Sequence, residues 1–269
     1  MKLFYIILFL IISTCPYAQQ STTNKITIIG VKHNGNKNMN ADSLLNILNK
    51  INPGIIFNES IFKQNASFFA DIVGLNRFIE IVAPDKYLIK NSKTEQIQID
   101  IKFKSLYHRW RYVRSMIKLN KVLYKKIDKI FILNKTPDSI KYSIVKFRTP
   151  HNYFYKLVDT SSLYILNQSS VVDSCRSRYI IYENDLLPII NSYPAFSNIS
   201  KRANKEFSIW KKRNETMARN ILNRIKNDTI NTPIVILCGL AHKYALEDLL
   251  RPEQEKLNFK LYDYWELYK

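Results

Sequence analysis

Cysteine, glycine, histidine and acidic side chains are all scarce in this chain. Three cysteines in 269 residues allow no disulfide framework. Beyond the N-terminus no apolar run is long enough to span a bilayer. No internal repeat, low-complexity tract or heptad array is present, which excludes solenoids and coiled coils. Aspartate and glutamate number 22 against 41 lysines and arginines, a formal net charge of +19. Such an excess attracts nucleic acid or an anionic envelope surface. Here lysine is spread along the chain among isoleucine, asparagine and tyrosine, so the charge reads as compositional bias rather than one binding face. The densest basic stretch runs from His108 to Lys126, threaded by Val113, Met116, Ile117, Leu119 and Leu123 at helical spacing. It reads as an amphipathic helix with a solvated basic face.

The N-terminus predicts export. Met1-Lys2 is followed by an apolar run from Leu3 to Ile12, and Pro16-Tyr17-Ala18 offers a cleavage site. Residues 1–18 are read as a signal peptide. Lipid attachment at Cys15 is disfavoured, because Ser13-Thr14 is a poor lead-in. The mature protein would be periplasmic or secreted, which argues against nucleic acid as a partner. Export would permit a disulfide between the remaining Cys175 and Cys238.

Glycine is rare, with five in all, yet two of the five stand three residues before a histidine. Gly30-Val31-Lys32-His33 follows the apolar run Ile26 to Ile29. Gly239-Leu240-Ala241-His242 follows Ile234 to Cys238. Continuous β-branched runs suit strands buried on both faces of a parallel sheet, and the glycine lets the backbone turn where the strand ends. Ala241 to Leu250 reads as a helix with Ala245, Leu246, Leu249 and Leu250 on its apolar face. Ser43 to Ile51 is a second helix, ended by Asn52-Pro53-Gly54, and Ile55-Ile56-Phe57 is the next strand. Glu59 then emerges on the same edge as His33, at a strand's carboxyl end, where ligands of open α/β sheets sit. Taken singly, either histidine reads as a loop residue and Glu59 as a cap. Together, two histidines and a glutamate on one edge can bind a metal or activate water.

A further helix precedes the second motif. Phe207, Trp210, Met217, Ala218, Ile221, Leu222 and Ile225 form an apolar stripe, with Asn214 within it and Arg213 on its flank. A buried asparagine needs partners; it either ties down a loop or shapes a pocket. Cys238 lies in a buried strand, with nothing nearby in sequence to activate it as a nucleophile.

These residues resemble the TraB/PrgY/Tiki group, part of a superfamily with erythromycin-esterase-like and ChaN-like haem-binding proteins. The matching stretches are Ile26–Ser60 and Phe207–Trp265. The resemblance implies one pocket lined by His33, Glu59, Arg213 and His242. It implies either metal-dependent peptidase chemistry, metal-free water activation by a histidine, or haem binding. The chain departs from the pattern at Lys32, at Leu240-Ala241 in the second motif, and in an acidic cluster reduced to Glu59.

The expected fold is therefore α/β: a mostly parallel central sheet flanked by helices, with a large mixed α/β insertion in the middle. The core comes from residues 24–60 and 205–269, and residues 61–204 elaborate it. Within that middle, a strand is expected at Ile97–Phe103 and a short one near Ile130–Leu133; Ser162–Leu166 and Tyr179–Tyr182 are ambiguous. His108 and His151 could each add a ligand. The expected activity is hydrolysis of a peptide or small-molecule substrate. In one version His33, Glu59 and His242 hold a divalent ion (manganese, cobalt or zinc) that lowers the pKa of bound water. In the other, His33 or His242 is the general base, Glu59 orients it and Arg213 stabilises the oxyanion. The rival is a haem- or metal-binding module. Peripheral contact with an anionic envelope surface fits the basic helix.

Overall fold

The computed structural model describes residues 23–59, 78–101, 106–133, 136–227 and 232–268. The leader, Cys15, Ser60 and the His108 side chain lie outside what is described. Among the described residues no helix is long and apolar enough to cross a membrane.

Five parallel strands form one sheet: β1 (Asn24–Val31), β2 (Ile55–Asn58), β3 (Glu95–Gln98), β4 (Ile234–Gly239) and β5 (Phe259–Tyr262), in the order β3-β2-β4-β1-β5. The apolar runs read from the sequence are buried because both faces are covered. Ile29, Val31, Ile56, Val235 and Leu237 point into one core. Ile26, Ile28, Ile55, Phe57, Ile234, Ile236 and Cys238 point into the other. The central strands are thus mainly apolar on both faces, with Thr27 and Asn58 buried among them, as expected for an all-parallel sheet; the edge strand β3 is polar.

Helix α1 (Ala41–Ile51) joins β1 to β2. Asn40 caps it reciprocally with Ser43, and Asn52 ends it at φ 53°. Its Leu44, Ile47, Leu48 and Ile51 pack on the sheet. Helix α2 (Ile79–Lys90) leads into β3. β4 inserts between β1 and β2, so strands from both ends of the chain become neighbours. Val31 pairs with Gly239 and Asn58 with Leu237. The carboxyl ends of β1, β4 and β2 therefore stand side by side, at the point where the strand order reverses.

The middle of the chain gives the sheet one strand, β3, and otherwise folds as helices among the described residues. The strand expected at Ile97–Phe103 is observed at Glu95–Gln98. α3 (Leu106–Ile132) is the long basic helix, and α4 (Asp138–Thr160) returns beside it. The short strand expected near Ile130 is instead the end of α3. Ile127 and Ile130 face a helical core while Ile132 is 77% exposed, so helical periodicity prevails over local β preference. The two ambiguous segments are helical: α5 (Leu163–Leu166), and the end of α6 (Ser169–Ile181), which passes into a π-helical turn at Tyr182–Leu186. After α7 (Leu187–Ser192) comes α8 (Ser197–Asn227), a 31-residue helix serving two cores. Its Ile199 and Ala203 belong to the helical insertion, and its Met217, Ala218, Ile221 and Ile225 lie under the sheet. α9 (Leu240–Leu250) follows β4 directly. Its Ala245, Leu246 and Leu250 are buried as expected, but Leu249 is exposed.

Cys175 and Cys238 are both free and buried, so the permitted disulfide is not formed. They lie in the cores on opposite faces of the sheet.

Candidate functional site

His33, Glu59, Arg213 and His242 do converge on the carboxyl edge of the sheet. Glu59, immediately after β2, is the hub. Its backbone N–H donates to the Leu237 carbonyl at 3.0 Å, which continues the β2–β4 ladder by one residue and turns the side chain into the site. One carboxylate oxygen accepts from Arg213 Nη2 at 2.7 Å, the other from the Gly239 N–H at 2.7 Å. His242 Nε2 lies 3.8 Å from the first oxygen. Burial alone would raise the Glu59 pKa. Arg213, the Gly239 N–H and the histidines His242 and His33 once protonated outweigh it and hold the carboxyl well below the usual range.

Arg213 is 8% exposed and comes from α8. Besides Glu59 it grips Asp100, through Nε at 3.1 Å and Nη2 at 2.7 Å. Asp100 follows β3 and also accepts from the Ile101 N–H at 2.7 Å. One guanidinium thus ties two strand ends to one helix. Burial works against the cation, but Glu59 and Asp100 raise its pKa.

His242 is buried in the first turn of α9. Its Nδ1 meets Asn214 Oδ1 at 2.5 Å. Asn214 can only accept through that oxygen, so Nδ1 carries the proton and Nε2 presents a lone pair. Burial pushes the ring down to about 4; Glu59 opposes this, and Arg213 and His33 reinforce it. His242 is neutral at physiological pH. Asn214, expected either to tie down a loop or to shape a pocket, makes its contact with His242.

His33 is different. Its side chain is 42% exposed, and its Nδ1 pairs with Glu80, whose side chain is 1% exposed. Glu80 stands in the first turn of α2. That turn also donates the Ile79 N–H to the His33 carbonyl at 3.0 Å and receives Asn58 Nδ2 on the Glu80 carbonyl at 2.5 Å. Pairing at Nδ1 leaves Nε2 turned toward Gly239. A Cβ added at Gly239 would lie 3.1 Å from that nitrogen. At Gly30 it would meet Leu240 Cδ1 at 2.7 Å. Neither glycine takes a positive φ. The expectation of a sharp turn is therefore replaced by close approach: the two Gly-x-x-His segments need glycine because each packs against the other.

Glu80 and Asp100 were missed in the sequence. Glu80 had a signal, a carboxylate inside the apolar run Phe78-Ile79-Glu80-Ile81-Val82. Asp100 had another, an acid just beyond a strand. The acidic shell is thus not reduced to Glu59; it is supplied by segments distant in sequence. Tyr112 of α3 also reaches the site's electrostatic field. Burial raises its phenol pKa, Arg213 lowers it, and Glu206 and Asp100 raise it. His151 lies elsewhere, among the helices of the insertion, with Nδ1 3.1 Å from Tyr124 Oη. Cys238 is buried and its thiol pushed well up by burial, which leaves it no nucleophilic role.

The donor set fits a divalent ion poorly. Glu59 spends its oxygens on Arg213 and Gly239, Asp100 on Arg213 and Ile101, and Glu80 engages His33. An ion on Glu59 would lie beside the guanidinium, like charge against like charge. Among the described residues no group of three or more His, Cys, Asp or Glu side chains is arranged to hold a metal. What the arrangement offers is a half-exposed histidine backed by a buried carboxylate, beside a second histidine held neutral.

No family model, no curated protein and no solved structure matches this chain.

Proposed function

We propose that this protein is a hydrolase that activates water without a metal, with His33 as general base and Glu80 as the carboxylate that orients it. The observation that carries the reading is the His33–Glu80 pair. A buried carboxylate on Nδ1 fixes the tautomer with the lone pair on Nε2 and stabilises the imidazolium formed when Nε2 takes a proton. His33 is the accessible histidine; His242 is 5% exposed.

In this reading a water bound at Nε2 gives up its proton and the oxygen adds to an acyl carbon. The carbon–oxygen or carbon–nitrogen bond then breaks, and the leaving group takes the proton back from His33. Glu59 does not orient the base. It locks β2 to β4 and to Arg213, while Arg213, already balanced by two carboxylates, holds the frame rather than an oxyanion. Negative charge developing on the substrate falls to the amide N–H groups of the first turn of α9, which have no partner within the helix.

The test is turnover of a panel of activated esters, lactones and peptides by the purified chain, with and without chelator, beside His33→Ala. Chelator-insensitive turnover lost in His33→Ala is the expected result. Activity that requires added manganese, cobalt or zinc would return the site to the metal reading. No turnover on any class would remove the hydrolase reading.

A further inference from the structure

Two arginines are buried inside the fold among the described residues, and their surroundings differ. Arg213 has two carboxylates. Arg178, on the last turn of α6 and 6% exposed, has no carboxylate within ion-pair distance among the described residues. Its guanidinium lies instead over rings, 4.5 Å from the Tyr179 centroid, 4.7 Å from Phe154 and 5.4 Å from Tyr155. The remaining neighbours are uncharged at physiological pH. Burial pushes the Tyr179 phenol up to about 12 and the Cys175 thiol to about 11. His151 is held near 4, first by burial and then by the charges of Arg178 and Arg148. Ring faces attract a cation, but they do not replace the hydration that a buried guanidinium gives up.

Two further observations suggest a ligand rather than a packing accident. α6 leaves its α-helical path just beyond Arg178, in the π turn Tyr182–Leu186, a distortion found often at functional sites. And the rings around Arg178 form a continuous series from the surface to the sheet edge. Tyr155 is 46% exposed. Tyr179 stacks on Trp210 at 4.1 Å and 6°, and Trp210 lies 6.0 Å from the His242 ring.

We propose that Arg178 anchors a binding site for an organic carboxylate, gripped by the planar guanidinium and flanked by the Tyr155 and Tyr179 rings. A guanidinium fork matches a carboxylate in two parallel hydrogen bonds, and the ring walls suit an apolar or aromatic body attached to it. The site is defined by Arg178 alone among the charged groups, so it stands independently of the hydrolytic reading. The carboxylate is either that of a small acid or the free end of a peptide.

The experiment is a titration of the full purified chain at constant ionic strength, read by thermal unfolding and by tryptophan fluorescence. The probes are acetate, benzoate, a short peptide acid and the same peptide amidated, with chloride as control. A rise in Tm of a few degrees with benzoate or the peptide acid, absent with chloride and the amide, is expected. Benzoate alone would assign the site to small acids; a stronger response to the peptide acid would assign it to a peptide end. Arg178→Met, which keeps apolar bulk against the rings, is expected to fold and to lose the response. Arg178→Lys keeps the charge but not the fork and should weaken the response at least tenfold. No carboxylate-specific response in the unaltered chain would overturn the proposal, as would a response retained in both variants.

Discussion

The Glu59 carboxylate accepts the backbone N–H of Gly239 at 2.7 Å across 180 residues of chain. This bond joins the end of β2 to the second Gly-x-x-His segment and holds the whole edge in register. Glu59→Gln keeps an acceptor for Gly239 but leaves Arg213 with one carboxylate instead of two. The variant is expected to fold, less stably by about 1–3 kcal/mol, the usual cost of weakening a buried charged hydrogen bond. Urea denaturation measures this. A midpoint equal to wild type would show that the Glu59–Arg213 contact contributes nothing net.

Glu80→Gln separates charge from shape at the other carboxylate. The amide can still touch His33 Nδ1, but it no longer balances an imidazolium. Turnover is expected to fall about 10²- to 10⁴-fold with little change in KM, the signature of a group that acts in the transition state. A change confined to KM would make Glu80 a determinant of substrate binding instead.

The sheet edge was legible because continuous apolar runs, each ending at a marked residue, have few alternatives to buried parallel strands. That pattern alone places His33, Glu59 and His242 on one edge. Their roles were not legible. Roles depend on what each side chain pairs with, and the partners Glu80, Asp100 and Asn214 come from two helices and a third strand end. Only tertiary packing brings Asp100 to Arg213, 113 residues away. The run Ile130 to Leu133 misled for a simpler reason. β-branched residues at a helix end look like a strand unless the period of Leu119, Leu123, Ile127 and Ile130 is followed into them.

Acid should destabilise the fold in two stages. His242 titrates near 4 when folded against 6.5 as its ordinary value. Its folded pKa is depressed, so between those values the unfolded chain binds more protons and stability falls as pH drops. The buried ring accounts for a loss on the order of 2–3 kcal/mol across that window. His151 adds to it in the same direction, discounted for its partial exposure. Glu59, lowered from 4.5, contributes stability that is present above that value and lost as pH falls below it. Urea midpoints from pH 7 to pH 4 measure the first stage. His242→Asn is expected to flatten the slope, and an unchanged slope would show that His242 is not buried neutral.

Because Cys175 and Cys238 are buried thiols in separate cores, reductant is expected to leave the Tm unchanged. A thiol reagent should label neither without denaturant. Fast labelling of Cys238 in the native protein would mean that the β4 end opens readily, since its thiol has no other access.

Gly239→Ala tests the site without testing the fold. Gly239 has φ −57° and ψ 139°, which alanine adopts without strain. The new methyl would lie 3.1 Å from His33 Nε2, 3.2 Å from its Cε1 and 3.4 Å from a Glu59 oxygen. All three are side-chain atoms, and the half-exposed His33 ring is the one the methyl would displace from its place on Glu80. Stability is therefore expected within about 1 kcal/mol of wild type, while displacement of the base costs about 10²-fold in turnover. Gly30→Ala makes the contrasting case, since its methyl meets Leu240 Cα, a backbone atom, at 3.1 Å as well as Leu240 Cδ1 at 2.7 Å. There α9 itself must move, and a loss of about 1–3 kcal/mol is expected. Equal stability losses in the two variants would show that Gly239 serves packing rather than the placement of His33.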